Sequence, residues 1–181
     1  MDDTEVMTRV REGRVEMLAI LFERHHARLF GFFFRLTGQP GPSEDLVQEV
    51  FLRMLKYRQS YRPEAPLVPW MYGIARNAHL HHLKCQRPHI PLEDQLHEPP
   101  DHAEGADARL EHEHHVALLD QALSRLPVAK REVLLLSRRE DLTYQDVANL
   151  TNSTVGAIKV QVHRALKDLR KTFLALQGGA S

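Results

Sequence analysis

Between Pro88 and Glu113 the chain carries four prolines and eight acids, with Arg109 the only lysine or arginine among them. The acids are Glu93, Asp94, Glu98, Asp101, Glu104, Asp107, Glu111 and Glu113. A stretch of that composition cannot bury enough apolar surface to fold by itself. It also lies between two segments whose apolar residues recur at helical spacing, so no single continuous core runs along the chain. The reading is two domains, residues 1–87 and 114–177, joined by a flexible acidic linker over residues 88–113 whose C-terminal end can run into the next helix. No internal repeat and no strand-period segment interrupts this pattern. The fold class predicted is all-α: two small helical domains, the second containing a helix-turn-helix.

Hydrophobic residues make up 43% and charged residues 27% of the 181, as a globular chain requires. A formal net charge of zero would by itself argue against a nucleic-acid partner. The acids are concentrated in the linker, however, and leave the flanking domains more basic than the total implies. The lone Cys85 excludes an internal disulfide and fits a reducing, cytoplasmic setting. MDDTEVMTRV has no signal pattern, and no apolar run approaches the roughly 20 residues of a membrane span. No membrane insertion is expected.

In the first domain, residues 2–12 suggest a short helix ending near Gly13. Leu18, Leu21, Phe22, Leu29, Phe32 and Phe33 mark an apolar helix from Val15 to Leu36, stopped by Thr37-Gly38-Gln39-Pro40-Gly41-Pro42. Ser43 is the expected cap of a third helix, with Glu44 and Asp45 in its first turn. Leu46, Val47, Val50, Phe51, Met54 and Leu55 form its buried stripe. Asp45, Gln48, Glu49, Leu52 and Arg53 fall on the other side, which periodicity alone reads as a solvated charged face. Tyr57–Pro69 reads as an ordered, proline-rich loop, and Trp70 as the start of the next helix. There Arg76, Asn77, Lys84 and Arg87 share an arc of roughly 100°, with Leu80 inside it. No acid occurs between Glu64 and Glu93. A basic surface beside an aromatic loop is suited to single-stranded nucleic acid.

In the second domain, Val116, Leu119, Leu123 and Leu126 predict a helix, Pro127 starts another, and Val133–Leu136 are apolar. From Asp141 to Phe173 two helices flank a tight turn. Thr143 and Asp146 have the spacing of a capping box, Asn152 suits a left-handed turn position, and Thr154 can cap the second of the two helices. Val155, Ile158, Val162, Leu166, Leu169 and Phe173 form a core stripe opposite Lys159, Gln161, Arg164, Lys167 and Lys171. The pattern matches a helix-turn-helix whose second helix enters the DNA major groove; an ordinary helical hairpin is the competing reading.

Four segments in order, EDLVQEVFLRML, PWMYGIARN, LSRLPVAKREVLLL and LTYQDVANLTNSTVGAIKVQVHRAL, resemble the extracytoplasmic-function group of bacterial sigma factors. The likeness runs from about Val15 to Phe173. It implies a promoter-recognition subunit without catalysis of its own, whose partners are core RNA polymerase, promoter DNA and an anti-sigma factor. Asp45, Gln48, Glu49 and Leu52 would meet the clamp helices of the polymerase β′ subunit, and the β subunit is a further partner. Arg76, Asn77, Lys84 and Arg87 would contact the −10 element, with Tyr57 or Tyr61 stacking on a flipped base. Thr154, Lys159, Val160, Gln161, Arg164 and Lys167 would engage the −35 element, Gln161 through its amide and Val160 on a thymine methyl. The sequence departs from the family at His81, where an acid is usual, at Cys85 among basic positions, at Asn152 for a turn glycine, and at Val160-Gln161 for Ser-Arg. The last change removes a positive charge and implies a smaller electrostatic share of duplex binding.

His79, His81, His82 and Cys85 cluster, as do His112, His114 and His115. His81 and Cys85, at i and i+4, have the spacing of a zinc-binding pair; the competing reading has histidines replacing Arg and Lys on a nucleic-acid-facing helix, and no metal or cofactor is expected. A conventional helix-turn-helix regulator is the alternative function. It would need a dimerisation or ligand-sensing domain, whereas the first 87 residues carry the polymerase and −10 patterns. With no HExxH, paired-carboxylate or glycine-rich phosphate motif, an enzyme is not expected.

Overall fold

The computed structural model of the protein describes residues 1–85, 107–139 and 141–178. Arg87 and most of the predicted linker lie outside the described residues. All regular elements among the described residues are helical.

The first helix, α1 (Asp3–Arg11), starts where the Asp2 carboxylate accepts the Glu5 amide at 2.8 Å. Val6, Met7 and Val10 are fully buried. A short 3₁₀ turn leads into α2 (Leu18–Thr37), which ends at Gly38 with φ 71°. A residue without Cβ takes that left-handed cap at little cost. The third helix, α3, runs Pro40–Lys56, so Ser43 is not its cap, as the sequence suggested. Proline fits the first turn, where no amide partner is needed and φ is already set. Ser43 instead lies buried inside the helix, its hydroxyl donating to the Gln39 carbonyl at 2.6 Å. Helix α4 (Leu67–Cys85) begins before Trp70, with Leu67 buried. Its Met71, Ala75 and Ala78 belong to the same buried core as Leu29 and Phe33 of α2 and Val50 and Met54 of α3, all at most 2% exposed. Burial of a Leu or Phe stabilises by about 2 kcal/mol.

The second domain holds α5 (Asp107–Ser124), α6 (Val128–Ser137), α7 (Tyr144–Leu150) and α8 (Val155–Gly178). Helix α5 thus starts inside the segment read as linker. Its buried face is Leu118, Ala122 and Leu123, whereas Val116 and Leu119 are each 41% exposed. The predicted stripe is therefore corrected for those two residues. Leu134, Leu136, Val147, Ala148, Ile158 and Ala165 complete the core.

The two domains dock, and their buried residues form one cluster. Arg131 of α6 is the hub. Its guanidinium is buried without a carboxylate partner and donates to the Arg35 and Leu36 carbonyls at 3.1 Å each and to Leu126 at 2.9 Å. A fourth bond reaches the Ser124 carbonyl. These oxygens sit at or just beyond the ends of α2 and α5, where helices leave carbonyls unpaired and carry partial negative charge.

Candidate nucleic-acid interface

Local chemistry builds the α7–α8 unit. The Thr143 hydroxyl accepts the Asp146 amide at 3.1 Å and the Asp146 carboxylate accepts the Thr143 amide at 2.8 Å, completing the predicted box. Asn152 has φ 50°, and the Thr154 hydroxyl accepts the Ala157 amide at 3.2 Å. Ile158, Val162 and Ala165 then seat α8 on the core. That rotation leaves Thr154, Lys159, Val160, Gln161, Arg164 and Lys167 exposed together. His163, which the sequence pattern does not single out, is exposed in the same stretch. The only acid on α8 is Asp168. Lys130 pairs with it at 2.5 Å, and that bond holds its carboxyl below the usual range. One acid, itself paired with Lys130, thus stands against the exposed Lys159, Arg164, Lys167, Arg170 and Lys171 of the helix.

In the first domain, Asp45, Gln48 and Leu52 of α3 are exposed, Leu52 at 63%. Glu49 is half-buried and accepts from the Arg53 guanidinium at 2.6 Å. Glu49, Leu52, Arg53, Lys56 and Tyr57 line a shallow depression of about 310 Å³. Tyr57 is 49% exposed, with the Lys56 ammonium 5.4 Å from its ring centroid. Tyr61 is different: it is 1% exposed, its hydroxyl donates to the Ala65 carbonyl at 2.8 Å, and Trp70 packs 5.2 Å away. Its ring shapes the loop from inside and offers no face to a base.

Asn77 and Lys84 are exposed on α4. Arg76, grouped with them in sequence, is drawn away toward the second domain. Its Nε lies 3.3 Å from the Glu132 carboxylate, the two side chains being 20% and 8% exposed. Burial raises the Glu132 pKa, and Arg76 offsets part of that rise. One helical turn along α4, His79 is buried with neither ring nitrogen paired. Burial, then the charges of His82, Arg131 and Arg76, lower its pKa to about 4. His81 lies 3.8 Å from the Cys85 sulfur, but no group of three or more potential metal ligands is gathered among the described residues. None of the described helices is long and apolar enough to cross a membrane.

A groove of about 560 Å³ runs between α5 and α8, lined by Val116, Leu119, Leu166, Leu169 and Phe173 with His115 and Arg170. Its walls explain why Val116 and Leu119 are apolar yet exposed.

A helix-turn-helix with an exposed basic face, docked on a second helical domain, defines a protein of the helix-turn-helix DNA-binding class. Residues 21–88 match the model of Sigma-70 region 2 and residues 117–169 that of Sigma-70, region 4. The RNA polymerase sigma factor CarQ of Myxococcus xanthus is 31% identical over 94% of this chain and 97% of its own length. The ECF RNA polymerase sigma factor SigF of Caulobacter vibrioides is 31% identical over 93% and 87%. In fold, the chain is similar to CnrH, solved in complex with the cytosolic domain of CnrY, at TM-score 0.67 and 20% identity over 99% of both chains. It is also similar to the sigma factor RpoE, solved with the anti-sigma factor NepR from Bartonella quintana, at TM-score 0.68 and 20% identity over 85% and 94%. The chain belongs to the extracytoplasmic-function group of the sigma-70 family, the non-enzymatic subunits that direct RNA polymerase to promoters and start transcription.

Proposed function

We propose that this sigma factor divides its work among three surfaces. The α3 side bearing Asp45, Gln48, Glu49 and Leu52 meets the β′ clamp helices, with Leu52 as the apolar anchor that an interface among charges needs. Tyr57, Asn77, Lys84 and Arg87 line the −10 strand, joined by Arg76 once it leaves Glu132. Tyr57 stacks on the flipped base, and Tyr61 holds the loop beneath it. Thr154, Lys159, Val160, Gln161, Arg164 and Lys167 read the −35 element. The α5–α8 groove suits an amphipathic helix of the β subunit.

The working divisions are residues 1–87 for polymerase and −10 contacts, 88–113 as linker and 114–177 for −35 contacts. The site of action is the cytoplasm, where polymerase and DNA meet. An anti-sigma factor is a further partner, a reading supported by the complexes in which CnrH and RpoE were solved.

The carrying observation is the α8 face, where Lys159, Arg164 and Lys167 are exposed and the single acid of the helix, Asp168, is paired with Lys130 of α6. The test is run-off transcription from a library of genomic fragments with core polymerase and this protein. Initiation from a small promoter set sharing two spaced elements is the expected result. Failure on every fragment, with an active core enzyme, would overturn the proposal.

A further inference from the structure

Helix α1 lies ahead of the residues matched to region 2, yet it is firmly seated in the first domain. Its Val6, Met7 and Val10 have no exposed surface. Its start is tied to α2. The Asp3 carboxylate accepts from Arg24 at 2.7 Å and lies 2.6 Å from Nε2 of the buried His25. Arg24 also donates to the Met1 carbonyl at 3.3 Å. One buried face and a charge-assisted bond at the first turn hold α1 against sliding along the domain.

Both ends of α1 reach the loop that follows α3. At its C-terminal end the Arg11 carbonyl, one of those a helix end leaves without a partner in the helix, accepts from the Gln59 side-chain amide at 2.8 Å. At its first turn Thr4 hydrogen-bonds the Tyr61 hydroxyl, which donates to the Ala65 carbonyl at 2.8 Å. Gln59 and Tyr61 flank Ser60, and Ser60 holds Tyr57. The Ser60 amide and hydroxyl both donate to the Tyr57 carbonyl, at 2.8 and 2.7 Å. A path of contacts thus runs from α1 through the 3₁₀ turn Arg58–Ser60 to the tyrosine before it. Burial is non-directional and hydrogen bonds are directional, so burial fixes α1 and the bonds aim the turn.

We propose that α1 is a positioning element for strand capture: Thr4 and the Arg11 carbonyl set the Arg58–Ser60 turn, and the turn sets the pose of Tyr57. The inference rests on the reading of Tyr57 as the residue that stacks on the flipped base. Tyr57 is 49% exposed, so packing fixes its ring only in part and its backbone does the rest. A ring held in place before DNA arrives loses less freedom on capture. A small misplacement weakens a base held in one pose more than a strand drawn by charge alone. Thr4 and Gln59 therefore act on the choice of base, through Tyr57, and not on attachment to polymerase.

The test reconstitutes holoenzyme from core polymerase and the full chain carrying Thr4→Val, Thr4→Ser, Gln59→Leu or Tyr57→Ala. Each holoenzyme selects from a randomised single-stranded DNA library, and sequencing reads the enrichment of the preferred base at the most selective position. Enrichment is a ratio between bases, so a loss of folded protein does not move it. Thr4→Val and Gln59→Leu should each lower it about fivefold, the worth of one hydrogen bond, with polymerase affinity unchanged. Thr4→Ser keeps the hydroxyl and should keep the parent value. In the Tyr57→Ala background Thr4→Val should have no further effect, because its path to the strand is gone; an additive loss there would overturn the proposal. Tyr57→Ala with parent enrichment would overturn the reading of Tyr57 and this inference with it. A loss in Tyr57→Ala beside parent enrichment in Thr4→Val and Gln59→Leu would overturn the inference alone and leave α1 a core helix.

Discussion

The His79 imidazole is 1% exposed, and its pKa of about 4 lies below the 6.5 of an unperturbed histidine. Above pH 6.5 the ring is neutral folded or unfolded and has no effect on the slope of stability with pH. Between pH 6.5 and 4 the unfolded chain takes up a proton that the folded chain refuses, so stability falls as pH drops, by at most about 3 kcal/mol. Glu132 works in the opposite sense, because burial raises its pKa and the folded chain binds that proton more readily. His79→Leu isolates the histidine part. It should raise stability at pH 7 by about 1–2 kcal/mol, since two unpaired buried nitrogens are removed, and abolish much of the acid-side loss. Urea melts at pH 7.5 and 5 check both; an unchanged pH slope would refute the assignment. Arg131 shows the contrary case, a buried cation kept by four carbonyls.

At the scale of elements, the turn before α8 rests on local hydrogen bonds that separate variants can probe. Thr143→Ala removes the box from α7 and should destabilise the second domain by about 1 kcal/mol, read as a lower urea midpoint. Lys159→Ala and Arg164→Ala should each lower the salt dependence of duplex binding by roughly one phosphate contact, with helicity unchanged by circular dichroism. Features of this kind are legible in the sequence because both partners lie within one helical turn: Thr143 with Asp146, Thr154 with Ala157, Asn152 with its own backbone. Ser43 misleads although it is local, because its polar side chain suggests a cap while Pro40, three residues earlier, already opens the helix. Val116 and Leu119 have helical spacing but line the α5–α8 groove, and periodicity cannot tell a core wall from an open one. Tyr61 looks in sequence like a base-stacking ring, and nothing in its neighbours' identities announces that Trp70 and Ala65 enclose it.

At the scale of the whole molecule, the least legible feature is the docking of the domains. Arg76 and Glu132 are far apart in sequence with the acidic stretch between them, and each looks like an ordinary surface charge in its own helix. Only the fold shows Arg76 held 3.3 Å from Glu132 of the second domain rather than free on its own helix. The proposed division of labour uses the same arrangement: α8 would select the site, while α3 and α4 would engage polymerase and the strand to be opened. Permanganate reactivity of unpaired thymines at a selected promoter, with core polymerase and linear template, tests that division most directly. The parent chain should expose thymines at the −10 element. Leu52→Asp should abolish reactivity by loss of polymerase binding, and Lys159→Ala with Arg164→Ala should lower occupancy yet leave reactivity per bound complex unchanged. Full opening by Leu52→Asp, or loss of opening per bound complex in the α8 variant, would contradict it.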